Sequence, residues 1–128
     1  MTSAMARLGT GRIEVLTTVG SRSGKPQTVP VSPIEVGGTE YLVAPYGRAS
    51  GWVKNVRAHP SAHLAKGSRT RKVRLQEVRG EEAATVVSLY YQREPFARPF
   101  MEVPNSPSVS DFAAAGDRFP VFRVQDAE

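Results

Sequence analysis

The stretch Ile13–Ala44, IEVLTTVGSRSGKPQTVPVSPIEVGGTEYLVA, decides the fold class. Ile13–Val19 is rich in β-branched residues and bounded by glycine, which predicts a strand. Thr28–Val36 predicts a second, with Val29, Val31 and Pro33 on alternate positions. Pro30 and Pro33 cannot donate ladder hydrogen bonds, so this strand belongs at a sheet edge or carries a bulge. Gly37-Gly38 is a hairpin signal and leads into a third strand, Tyr41–Ala44.

Further along the chain, Gly51–Ala58 has room for a two-turn helix that stops before Pro60. Ala62–Ala65 and Lys72–Val78 are two more strands across the basic turn Lys66–Arg69. In the second of these, Val73, Leu75 and Glu77 face opposite to Arg74, Gln76 and Val78. Glu81-Glu82 open a helix that runs to about Arg93, placing acids at its positive end. Ala84, Val87 and Tyr91 share one stripe of it. Residues 94–107 hold four prolines and read as loop. A short helix, Ser108–Ala115, then precedes a last strand, Phe119–Val124. About six antiparallel strands with few, short helices predict a mainly β (α+β) small barrel or curled sheet. Residues 1–12 read as an N-terminal segment and 13–128 as a single domain. In such a fold a nucleotide-like ligand lies in a surface groove.

Hydrophobic content of 40% and charged content of 23% are globular values. The absence of cysteine excludes disulfides, thiolate metal sites and thiol nucleophiles, and fits a cytoplasmic location. No apolar run approaches the roughly 18 residues of a membrane span. The first residues, MTSAMARLGTGR, lack the apolar core of a signal peptide. The net charge of +5 is unevenly spread. Thirteen Lys/Arg face four acids up to residue 79, whereas four face eight beyond it. The basic part attracts an anionic partner: nucleic acid, an anionic lipid surface or a phosphorylated cofactor.

Two motifs sharpen that choice. The loop Gly20–Pro26 is not a Walker A loop, because its glycines are too close and Pro26 follows Lys25. It is either a generic hairpin loop or a backbone nest whose N–H groups join Arg22 and Lys25 around an anion. Trp52, the only tryptophan, sits among Arg48, Lys54, Asn55 and Arg57. An exposed indole face packs against a flat heteroaromatic ring, so the pair suits a long anionic ligand with one flat end. His59 and His63 have no third ligand in view and do not make a metal site. No Gly-x-Ser-x-Gly elbow is present. Lys66–Lys72 lacks the interleaved aromatics of a nucleic-acid binder, so no nucleic-acid partner is expected.

The order L-T-T-x-G-x-x-S-G-K-P-x-x-x-P-V from Leu16, then Y-L-V-A from Tyr41, W-x-x-N-x-R-A-x-P from Trp52 and F-P-V-F-R-V from Phe119 resembles the deazaflavin (coenzyme F420)-dependent nitroreductase family, which includes F420H2-dependent quinone reductases. The likeness runs from Leu16 to Val124. It implies a split β-barrel, an actinobacterial relationship, and hydride transfer from reduced F420 to a small activated acceptor such as a quinone, enone or nitro compound. By the same resemblance, Ser21, Arg22, Ser23, Gly24, Lys25 and Pro26 hold the phosphate and polyglutamate tail. Trp52, Val53, Lys54 and Asn55 line the deazaflavin, with Ala44, Pro45 and Tyr46 on the same wall. Tyr46 is the candidate proton source, and Tyr90 and Tyr91 are further candidates.

The chain departs from its relatives at several positions. Ser21 and Gln27 stand where relatives often carry basic residues. Pro95, Phe96 and Phe100 stand where several carry tyrosines, which favours an apolar quinone or enone over a nitro compound. Two other readings remain beside this one. One is an FMN-binding split-barrel oxidoreductase. The other is a non-catalytic barrel in which Phe96, Phe100, Met101 and Phe112 enclose a lipid or other apolar ligand. Split barrels often dimerise, so a homodimer is open, and any membrane contact is peripheral, at the inner face.

Overall fold

The computed structural model describes residues 13–47, 50–101, 103, 107–115 and 118–127; the side chains of Phe96 and Phe100 are not among them. Its seven strands are β1 Glu14–Val19, β2 Pro26–Val31, β3 Ile34–Val36, β4 Thr39–Val43, β5 Ser61–Lys66, β6 Arg69–Val78 and β7 Val121–Asp126. The helices are α1 Gly51–Ala58, α2 Gly80–Arg93 and α3 Val109–Ala114, with a 3-10 segment at Pro95–Phe100. All pairings are antiparallel, in the order β2-β1-β5-β6-β7-β4-β3.

That order contains the closure of the barrel. β2 and β3 are the two edges of the sheet, yet only Ser32-Pro33 lies between them in the chain. The three Cα steps from Val31 to Ile34 span at most about 11 Å when fully extended, so the sheet must curl until its edges approach. The strand expected over Thr28–Val36 is therefore two strands, one pairing with β1 and the other with β4. Proline lacks the N–H that would carry one ladder through Pro33. Arg93 Nη2 donates to the Pro33 carbonyl at 2.8 Å, and Ser32 Oγ donates to Glu94 Oε2 at 3.0 Å. The break is thus held by the C-terminal end of α2. This split raises the expected six strands to seven.

The β3–β4 hairpin turns on Gly37-Gly38, whose φ values of 59° and 82° are both left-handed. That is the backbone of a two-residue primed turn, where glycine carries no steric cost.

Two cores lie on opposite faces of the sheet. Inside the curl, Leu16, Leu42, Leu64, Val73, Leu75 and Phe122 pack around Trp52, Val53 and Val56 of α1. Outside it, Tyr41, Val43 and Val121 pack against Ala84, Val87 and Tyr90 of α2 and Phe112 of α3. β4 serves both cores by alternation, Tyr41 and Val43 outward, Leu42 and Ala44 inward. β6 follows its sequence pattern, with Val73 and Leu75 inside and Val78 in the outer core.

The helices match their sequence signals closely. α1 has the bounds expected for it, and α3 starts on a Ser108–Asp111 capping box. After α2 the chain forms a 3-10 segment where loop was expected. Arg98 holds it by donating to the carbonyls of Tyr91 and Gln92, each at 2.8 Å, and stands 5.0 Å from the Tyr91 ring centre. At one end of β6, Arg57 of α1 pairs bidentately with Glu77 at 2.9 and 2.7 Å. Nearer the other end, Arg71 gathers Glu40 at 2.7 Å, Asp126 at 3.4 Å and Glu14 at 3.7 Å. No helix among the described residues is long and apolar enough to cross a membrane.

Candidate functional site

A groove of about 470 Å³ runs along β2 where the sheet edge meets α1. One wall is β2 itself, from Gln27 to Val31, continued by Ser32. The facing wall is Val43, Pro45 and Tyr46 after β4, then Ser50, Gly51, Trp52 and Asn55 at the start of α1. Tyr90 of α2 and Ala97 line it as well, and its volume lies within the range of small-molecule sites.

Asn55 organises this region. It is 5% exposed, and both donors of its amide are used. Nδ2 donates to Thr18 Oγ1 at 3.0 Å and to Gln27 Oε1 at 2.9 Å, while Oδ1 accepts from the Ser21 N–H at 2.9 Å. One side chain on α1 thereby joins β1, β2 and the loop between them.

That loop is held mostly by its own backbone. The Gly20 N–H donates to the Lys25 carbonyl at 2.8 Å, the Gly24 N–H to the Gly20 carbonyl at 3.0 Å, and the Lys25 N–H to Ser23 Oγ at 3.1 Å. A Cβ on Gly20 would stand 2.6 Å from Ser23 Oγ and 3.2 Å from the Lys25 carbonyl oxygen, so a side chain here would crowd the turn. The N–H groups of Gly20, Ser21, Gly24 and Lys25 bond within the protein, so these four do not contribute to the backbone nest considered from sequence. What it presents is charge. Arg22 and Lys25 are exposed, and neither they nor Lys54 form an ion pair among the described residues.

The groove end of α1 adds to this field. Ser50 precedes the helix without a side-chain cap, and no acidic residue occupies the first turn. The positive end of the helix dipole therefore opens on the groove without a neutralising carboxylate.

Trp52 differs from its expected setting. It is 8% exposed, and its ring lies 5.3 Å from that of Phe122 at 56°, inside the barrel core. The broad exposed indole face expected from its basic neighbours is absent, because α1 turns this position inward. Trp52 lines the groove only with what its packing leaves uncovered.

Among the other residues singled out from sequence, Pro45 and Tyr46 line the groove beside Trp52 and Asn55. Tyr46 stands at the rim, 57% exposed. Ala44 and Val53 are fully buried in the inner core and support this wall without forming it. Ser21, Arg22, Ser23, Gly24, Lys25 and Pro26 do not line the groove; they lie beside its mouth, next to Gln27. Lys54 projects from the exposed side of α1, and Arg57 is occupied by Glu77. Arg48 lies outside the described residues. Met101 and Phe112 belong to the outer core and do not border this groove.

The structure adds Thr18 and the residues from Gln27 to Ser32, and of the two further tyrosine candidates it brings Tyr90 to the groove. The signal for β2 was its alternating Val29 and Val31 between prolines, a sign of an edge strand with one face to cover. Tyr90 had no distinguishing signal beyond its residue type. It is 5% exposed, and burial, followed by the nearby Glu94 and Tyr46 charges, pushes its phenol far above the ordinary range against the opposing pull of Arg93. It is therefore a neutral hydrogen-bond donor at every ordinary pH.

Comparison with known proteins agrees with this architecture. The model of the F420H(2)-dependent quinone reductase family matches residues 3–98. The chain is similar to the solved F420-H2 dependent reductase FDR-A, with 28% identity and a TM-score of 0.62 over 89% of this chain and 94% of that one. A domain-swapped dimer resembles it at 23% identity and a TM-score of 0.62, covering 97% of this chain and 93% of that one. A FAD-binding protein from Mesorhizobium loti shares the fold at 14% identity and a TM-score of 0.57, covering 98% and 88%. Among curated proteins no match is found.

Proposed function

The chain belongs to the F420H(2)-dependent quinone reductase family, and on that premise we propose that it binds reduced coenzyme F420 along the β2–α1 groove and reduces a small quinone or enone there. The observation that carries this reading is a largely apolar groove beside the exposed cations Arg22 and Lys25, which form no ion pair among the described residues. When bound, the cofactor supplies the hydride, and the protein supplies position, charge and exclusion of water.

Each part of the site has a role in that division. Val29, Val31, Pro45 and the uncovered part of Trp52 offer apolar surface to a planar ring. Arg22 and Lys25 face the phosphate and glutamate tail with charge-assisted contacts, and Lys54 extends the positive field along α1. Asn55 has no N–H left to donate, so it acts on the ligand chiefly by fixing the loop and Gln27. Tyr46, at the solvent-facing rim, returns a proton from bulk water to the reduced acceptor. Holding acceptor and donor together in the groove accounts for a site without a catalytic dyad.

Titration with F420 and, separately, with FMN tests the proposal through the fluorescence of Trp52, the only tryptophan. Micromolar F420 binding that weakens in Arg22→Ala, in Lys25→Ala and with added salt is the expected result. Preference for FMN would favour the flavin reading instead, and failure to bind either ring system would overturn both.

A further inference from the structure

The inner end of the groove, where β2 stops, carries two hydroxyl groups of opposite standing. Ser32 Oγ donates its proton to Glu94 Oε2 at 3.0 Å and lies 3.4 Å from Arg93 Nη2. Glu94 is 1% exposed and is also held by Arg93 Nε at 3.1 Å. Ser32 therefore has no proton left to offer a ligand. Tyr90 lines the same groove and is more than nine-tenths buried, and its hydroxyl makes no hydrogen bond among the described residues.

A buried hydroxyl without a partner is rare, because burial removes the water that would otherwise satisfy it. This one belongs to a residue that lines the groove, and Glu94, which accepts from Ser32 and Arg93 through Oε2, does not accept from it. Its surroundings keep it protonated, so it can donate but cannot act as a base. A hydrogen-bond acceptor on a ligand in the groove would complete it.

We propose that Tyr90 determines acceptor specificity at this inner end by donating a hydrogen bond to a carbonyl oxygen of a bound quinone or enone. The proposal rests on the reading of the groove as a reductase site, but it can be tested without cofactor. A site built around a buried donor discriminates against analogues that lack the matching oxygen, because the donor is then left unpaired.

The probe is 1,4-naphthoquinone, with naphthalene as the oxygen-free control. Their binding to the cofactor-free protein and to Tyr90→Phe is measured by calorimetry, and the quinone carbonyl stretch by infrared difference spectroscopy. The wild-type protein should bind the quinone in preference to naphthalene and lower its carbonyl frequency. Tyr90→Phe should lose roughly tenfold in quinone affinity, as for one hydrogen bond, lose the frequency shift, and leave naphthalene binding unchanged. A retained shift and affinity in Tyr90→Phe would overturn the assignment. So would a melting temperature well below wild type, because the hydroxyl would then be serving the fold. Quinone binding with a Tyr90-dependent shift but no F420 binding would sink the reductase reading and leave this one standing.

Discussion

The backbone N–H of Ser21 donates to Asn55 Oδ1 at 2.9 Å, across 34 residues of sequence. A loop that looks autonomous in the sequence is thus set in place by a side chain on α1. The two basic elements flanking the groove are mechanically one unit.

Asn55→Ala removes three hydrogen bonds and leaves the Thr18 hydroxyl, which is also buried, without its donor. The expected loss is roughly 2–3 kcal/mol, given a modest net gain per bond and a larger cost for each buried group left unmatched. Urea unfolding measures it. F420 affinity should fall as well, because Arg22 and Lys25 lose their fixed position.

Gly20→Ala places a Cβ against Ser23 Oγ, which can rotate away, and against the Lys25 carbonyl, which cannot move without the loop. About 1–3 kcal/mol of strain is expected from such overpacking, with a parallel drop in F420 affinity. Unchanged melting and affinity would show that the hairpin yields at this point.

Glu94→Ala leaves Arg93 without its buried partner and frees Ser32 at the strand break. Removing one member of a buried pair costs roughly 3–5 kcal/mol, whereas Ser32→Ala should cost about 1 kcal/mol. A double-mutant cycle should give a smaller effect for the pair than the sum of the two, because both act on one junction.

Acid and alkali should act through different groups. Arg123, then Tyr41, holds the Glu82 carboxyl below its ordinary range by hydrogen bonding. The unfolded chain therefore binds this proton more readily, and the stability is present above the ordinary carboxylate range and lost as pH falls through the lowered value. Burial, first of all, raises the phenols of Tyr41 and Tyr90, so their contribution is full below about pH 10 and lost as pH rises above it. Urea midpoints across pH should show the acid limb flattened in Glu82→Gln and the alkaline limb flattened in Tyr90→Phe.

Much of the fold was legible locally. The alternation in β6, the Gly37-Gly38 turn and the short helix read at Ser108–Ala115 depend on neighbours in the chain, and each appears where its pattern placed it. The division of Thr28–Val36 was not legible. Pro30 and Pro33 marked an edge, but which proline ends the strand depends on Arg93 and Glu94, some sixty residues away. The orientation of Trp52 was hidden for a related reason. Its charged neighbours suggested a surface position, yet α1 turns Trp52, Val53 and Val56 into the barrel and leaves Lys54 and Arg57 outside.

The sequence by itself determined an antiparallel β fold, a basic region matched to an anionic ligand, and the family. All three follow from residue type and short-range order. Only the tertiary structure decided that the barrel closes at Ser32-Pro33, that Asn55 positions the loop instead of presenting a free amide, and that Tyr90 reaches the groove. Each of these depends on contacts between residues far apart in the chain, and those contacts exist only once the sheet has curled and brought its two edges together.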